Sequence, residues 1–196
     1  MSRLDESNRL ILLISSIDIR MIVSHKHKFV YFAPVKTAST SIHKALEQFD
    51  IQIYHTSSKE NWARHQMYFP HEIREYFTFV SVRNPYHRFL SMYNHFSKED
   101  ETIEEYSYGN DNRKSSIFDE VLSKMIPINA ILRTETLEKD FNNLPFVKNY
   151  THLTHENVSN KKLNRLSEYA IDYVNRKYHL DFLLFSYKKT NVKIFM

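Results

Sequence analysis

Two hydrophobic spacings alternate along this chain, and the points where one gives way to the other mark its elements. Phe29-Val30-Tyr31-Phe32-Ala33 is an unbroken apolar, aromatic and β-branched run that stops at Pro34. After a polar stretch, Ile42, Ala45, Leu46 and Phe49 recur at i, i+3, i+4 and i+7, one face of a helix. The pattern predicts a strand, a tight polar loop and a helix. The same succession returns at Phe77–Val82, a run of the kind that strands of parallel sheets carry. Asn84-Pro85 then supplies an N-cap and a first-turn proline, and Tyr86, Phe89, Leu90 and Tyr93 mark the next helix face.

Weaker signals fill the intervals. Ile51–Tyr54 reads as a short strand, His55 to Tyr68 as a polar, aromatic connection, and Pro70–Glu75 as a helix start. Phe118, Val121, Leu122 and Met125 form a helical stripe ended by Pro127. Leu163, Leu166, Ala170, Tyr173 and Val174 mark a longer C-terminal helix. The acidic run from Lys98 through Glu105, ending near Gly109, reads as a mobile solvated loop. Leu10–Ile14 is too short to span a membrane and reads as a strand or edge helix. No repeat or linker divides the sequence. The expected architecture is one α/β domain over 1–196, with a central, mainly parallel sheet between helices in three layers. The pattern does not give the strand order.

The polar stretch between the first strand and helix carries the first chemical signal. Lys36 is followed by Thr37, Ala38, Ser39, Thr40 and Ser41, four hydroxyl residues in five, which is more than a helix cap requires. A helix start aims a partial positive charge at its loop, and Lys36 adds a full one. The ligand expected here is a phosphate or sulfate ester. A Walker A loop is excluded, because Gly109 is the only glycine in the chain. The second signal is Arg83, at the carboxyl end of a strand, where open α/β sheets bind ligands. Ser91 follows it about two turns into the next helix.

Composition narrows the classes. The 196 residues contain no cysteine, which excludes disulfides and thiolate metal sites. The formal charge of +4 suits an anionic ligand and is too small and dispersed to indicate nucleic-acid binding. The mixed-charge start does not resemble a signal peptide, and no anchor is visible, so a cytoplasmic location is expected. The aromatics, 14 Phe and 13 Tyr, include candidates for stacking on sugar rings.

Taken together, Pro34–Ser41 and Val82-Arg83-Asn84-Pro85 with Arg88 and Ser91 resemble the two nucleotide-binding signatures of sulfotransferases that use 3′-phosphoadenylyl sulfate (PAPS). The likeness is nearest to the carbohydrate branch, which includes heparan sulfate 2-O-, dermatan/chondroitin and bacterial relatives. It continues in Leu132–Phe141, similar to a strand-and-helix E-x-L-x-x-D-F segment, and in the polar run His152–Ser159. Tyr178–Tyr187 resembles the family's closing Y-x-x-D-F-x-x-F-x-Y, so the likeness spans about 28–187. Val35, between Pro34 and Lys36, departs from members with Pro directly before Lys.

The resemblance implies a P-loop-NTPase-like fold. It implies that Lys36, Thr37, Ala38, Ser39, Thr40 and Ser41 hold the 5′-phosphosulfate, and that Arg83 and Ser91 hold the 3′-phosphate. Adenosine 3′,5′-bisphosphate (PAP) is then the product, the acceptor a carbohydrate hydroxyl, and no metal is needed. Sulfuryl transfer, like phosphoryl transfer, depends on positioning and charge stabilisation, with Lys36 on the leaving oxygen. The acceptor proton needs a base. His65, whose place ahead of Arg83 resembles that of the catalytic His in 2-O-type enzymes, is the first candidate. Glu60, His55, His152 and His155 stay open. A P-loop-like kinase is a second activity, opposed by the missing glycines, and a nucleotide-binding relative without catalysis is a third.

Overall fold

The computed structural model describes residues 20–55, 73–109, 116–121, 127–148, 153 and 163–191. Strands Arg20–Ser24 (β1), Phe29–Ala33 (β2), Gln52–His55 (β3), Phe77–Val82 (β4) and Ala130–Arg133 (β5) form one sheet in the order β3-β1-β2-β4-β5. β1 pairs antiparallel with both β2 and β3, whereas β2–β4 and β4–β5 are parallel. Four strands therefore point one way and β1 alone is reversed. β1 escapes the sequence pattern because its apolar part is only Met21-Ile22-Val23, set between charged and polar residues.

The described α-helices are Ser39–Leu46 (α1), Pro85–Phe96 (α2), Ile103–Tyr108 (α3), Ile117–Glu120 (α4), Leu137–Asn142 (α5), Glu168–Lys177 (α6) and His179–Leu184 (α7). Every residue of β2 is buried, as a strand covered on both faces must be. Its side chains alternate between two cores. Phe29, Tyr31 and Ala33 join Ile22, Phe79 and Leu132 beneath α1 and α5, with Ile42, Leu46 and Phe141 facing them. Val30 and Phe32 join Val23, Val80 and Val82 on the other face, against Ile117, Val121 and Phe185. The three layers follow from that alternation. Phe29 and Phe79 are fully buried, each contributing about 1.5–3 kcal/mol by burial. A third cluster, built on Phe89, Met92, Tyr106, Val174 and Tyr178, packs α2, α3, α6 and α7 together.

Three readings of the pattern need correction. The acidic run is not all loop, because its second half is α3. Thr102 accepts from the Glu105 N–H while the Glu105 carboxylate accepts from the Thr102 N–H, a capping box that starts the helix. Ile103 and Tyr106 are buried beneath the acidic face. The C-terminal helix starts at Glu168, not near Leu163, because the Ser167 hydroxyl caps it by accepting from the Ala170 N–H. The stripe from Phe118 has already left its helix at Val121, the residue after Glu120. Leu122, Met125, Leu10–Ile14 and the start at Pro70 lie outside the described residues. Among the described residues, no helix is long and apolar enough to cross a membrane.

The Ser167 cap gives a direct check. Ser167→Ala should lower stability by about 1 kcal/mol, seen as a lower urea midpoint at unchanged m-value. A helix continuing back to Leu163 would leave the midpoint where it was.

Candidate active site

β2, β4 and β5 are neighbours and parallel, so their carboxyl ends share one edge of the sheet. The chain leaves that edge three times, through the loop after Ala33, through Arg83 after Val82, and through Thr134-Glu135 after Arg133. Topology alone thus gathers Lys36, Arg83 and Glu135. β3 runs the same way, and Arg20 pairs with both Ala33 and His55, so β3 ends level with β2.

The first loop takes a shape that glycine would take easily, and it has none. Lys36 (φ 63°) and Ala38 (φ 61°) are both left-handed, at about 1–2 kcal/mol each for residues with a Cβ. Buried hydrogen bonds hold it. The Thr37 hydroxyl donates to the Pro34 carbonyl at 2.8 Å and lies 2.6 Å from Ser81 Oγ, which lies 2.6 Å from the Tyr31 hydroxyl. Thr37 has a single hydroxyl proton, and Pro34 receives it, so Ser81 donates to Thr37 and Tyr31 donates to Ser81. Donation therefore runs one way, from the sheet up into the loop. On the other side, Arg88 Nε donates to the Val35 carbonyl at 2.9 Å. Ala38, at the N-cap of α1, gives no side-chain hydrogen bond to the first turn, so the positive end of the helix still faces the loop.

Arg83 reaches this loop through Nη1, which donates to the Lys36 carbonyl at 3.4 Å. Lys36 is half-buried, and burial first, then the Arg83 charge, push its ammonium below the ordinary lysine value. Burial also lowers Arg83, while Glu135 and Tyr187 support its charge. The Lys36 ammonium stands 6.0 Å over the Phe96 ring. Glu135 accepts from the Asn84 N–H at 2.8 Å and the Tyr187 hydroxyl at 2.9 Å. Burial works to raise its pKa, yet these and further hydrogen bonds hold it below the ordinary glutamate value. Two cations crowded against each other beside a helix start favour anionic groups around them. This donor set suits an oxyanion.

The residues singled out in the sequence are placed as follows. Lys36 and Arg83 are brought together, and Ser39 and Thr40 lie at the start of α1, half-buried and exposed respectively. The Thr37 and Ser41 side chains are buried, and the Thr37 hydroxyl proton is already committed to the loop. Ser91 is half-buried on α2, and no described hydrogen bond joins it to Lys36 or Arg83. His65, Glu60, His152 and His155 lie outside the described residues, as does the side chain of His55. Sequence reasoning passed over Tyr31 and Ser81. Ser81 could have been found as the second hydroxyl in an otherwise apolar strand, Phe77-Thr78-Phe79-Val80-Ser81-Val82. Asp181 was visible only as part of a motif. It is 1% exposed, accepts from the Ile117 and Phe118 N–H groups, and lies 3.9 Å from Arg88.

The sequence profile of the sulfotransferase family matches residues 19–125, more than half of the chain. Comparison with curated proteins and with solved structures finds no match.

The crowding of Lys36 can be tested without a ligand. Arg83→Gln removes the second cation and leaves the burial, so the Lys36 pKa should rise yet stay below the ordinary lysine value. An NMR titration of its side chain reads this. Between the lowered and ordinary values the unfolded chain binds more protons than the folded one. The contribution of Lys36 to stability therefore rises with pH across that window.

Proposed function

The chain belongs to the sulfotransferase family, and from that premise we propose that it transfers a sulfuryl group from PAPS to a carbohydrate hydroxyl, releasing PAP. The observation that carries the choice of donor is the half-buried Lys36–Arg83 pair at the start of α1. In this reading Lys36, Thr37, Ala38, Ser39, Thr40 and Ser41 hold the 5′-phosphosulfate in a P-loop-like cradle. Arg83 and Ser91 hold the 3′-phosphate. The choice of acceptor rests on the likeness of the motifs to the carbohydrate branch.

When bound, the donor supplies an activated sulfuryl group whose leaving oxygen belongs to a phosphate. The chain's own residues supply position and charge. Lys36 neutralises the negative charge that grows on the leaving oxygen, aided by the backbone N–H groups of the loop and the partial charge of α1. The buried bonds from Thr37 and Arg88 keep those donors in place before the reaction, so little reorganisation is needed when it occurs. Arg83 anchors the far end of the nucleotide. His65 accepts the proton of the attacking hydroxyl as a neutral imidazole. It follows β3 by ten residues, and β3 ends level with β2 at this sheet edge. Glu60 is next in line for the same task.

Variant kinetics, ligand-induced thermal stabilisation and a pH profile test the reading. Lys36→Ala should lower kcat by about 10²–10³ and raise the donor KM by less, in sulfate transfer from PAPS to a panel of oligosaccharides. A change in KM alone would make Lys36 a binding residue only. Thermal stabilisation by ATP with Mg²⁺ but not by PAP would point to a kinase instead. His65→Ala should cost about 10²–10⁴ in rate with PAP affinity kept, and wild-type kcat/KM should rise with pH through about 6.5. A fully active His65→Ala enzyme moves the role to Glu60 or another histidine.

A further inference from the structure

The matched family region ends at residue 125, yet the segment Tyr178–Tyr187 is tied to both cationic loops, through Arg88 to one and through Glu135 to the other. Its first tie is buried. The Arg88 guanidinium is 0% exposed, and burying such a charge is costly unless it is paired and hydrogen-bonded. Asp181 on α7 supplies the counter-charge at 3.9 Å, and Arg88 Nε supplies the bond to the Val35 carbonyl. A trans peptide points its N–H opposite to its carbonyl. Drawing the Val35 carbonyl toward Arg88 therefore turns the Lys36 N–H away from it and fixes the peptide plane that leads into the left-handed Lys36.

The second tie lies at the other end of the segment. The Tyr187 hydroxyl donates to Glu135 at 2.9 Å, and the same carboxylate accepts from the N–H of Asn84, the residue after Arg83. A third tie fixes the segment to β5, where Arg133 Nη1 donates to the Phe185 carbonyl at 2.8 Å and stands over the Tyr187 ring. Asp181 thus acts on one loop through Arg88, and Tyr187 acts on the other through Glu135.

We infer that Asp181 and Tyr187 are positioning residues that make the C-terminal segment a clamp on both halves of the anion site. Each governs a different half. The consequence for catalysis rests on the donor reading given above, whereas the geometry of the loops does not.

Amide hydrogen exchange in the unliganded protein separates the two. Asp181→Asn should speed exchange about tenfold at residues 35–38 and leave Asn84 near wild type. Tyr187→Phe should speed exchange at Asn84 to a similar degree and leave 35–38 unchanged. Val23→Ala, a core change in β1, serves as the control: it should lower Tm while exchange at both loops stays like wild type. Both clamp variants should also weaken PAP binding about tenfold and raise the donor KM more than they lower kcat. If exchange at both loops is unchanged, or rises evenly over the whole sheet, the clamp is wrong. If wild type does not bind PAP, the donor reading falls and the exchange pattern still decides the clamp. If Asp181→Asn does not fold, Tyr187→Phe decides alone, because it removes one hydroxyl from a half-buried ring and leaves the core intact.

Discussion

A turn with two left-handed residues and no glycine is the constraint on which the rest of this structure depends. Lys36 and Ala38 each carry a Cβ that opposes the conformation they hold. Such a turn persists only when its surroundings determine it several times over. Here they do. Thr37 fastens the Pro34 carbonyl from within, Arg88 fastens the Val35 carbonyl from α2, and Arg83 reaches the Lys36 carbonyl from the end of β4. Three successive carbonyls are thus engaged by three different parts of the chain. A glycine would lower the local cost but would also widen the range of shapes the unfolded and folded loop could take.

The same arrangement accounts for the electrostatics. Carbonyls turned toward Arg83 and Arg88 place negative partial charge near the guanidinium groups, which leaves the helix start and the Lys36 ammonium as the positive side of the loop. Arg83 keeps its charge despite burial because Glu135 is near it, and Glu135 is held ionised by the Asn84 amide and the Tyr187 hydroxyl. Among the described residues, no carboxylate plays that part for Lys36, which is pushed down by burial and by the Arg83 charge. The two cations are therefore unequal, one compensated by the protein and one open to compensation by a ligand.

Much of this was legible in the residues. The run 29–33 is unbroken and apolar, and 77–82 is apolar but for Thr78 and Ser81, because both faces of β2 and β4 are covered, and that is the strongest signal a buried strand can give. Asn84-Pro85 announced α2, and Lys36 and Arg83 stood at the ends of recognisable strands. β1 was missed because three apolar residues are too few to set a period. The capping box of α3 was overlooked among acidic residues whose charge suggested solvent. Ser167 was passed over because an apolar stripe can run on into a coil that packs like a helix. Tyr31, Ser81 and Asp181 could not be assigned roles from sequence, since their partners lie far away along the chain and meet only when the sheet is formed. The base remains a reading of sequence, with His65 outside the described residues.

The reversed strand has a consequence for how the molecule assembles. β1 and β2 form a hairpin, closing over the short turn between Ser24 and Phe29, whereas β2 and β4 are brought together only after more than forty residues of intervening chain. Local pairings of the first kind form quickly, and those of the second kind wait on the entropy of a long closure. The hydroxyl chain from Tyr31 through Ser81 to Thr37 crosses that late seam, and so does the bond from Arg83 to the Lys36 carbonyl. The loop at Lys36 therefore acquires its shape with the slow pairing and not with the hairpin. An anion seated there, as proposed above, would recognise only chains whose sheet is complete and would draw the population toward them by mass action.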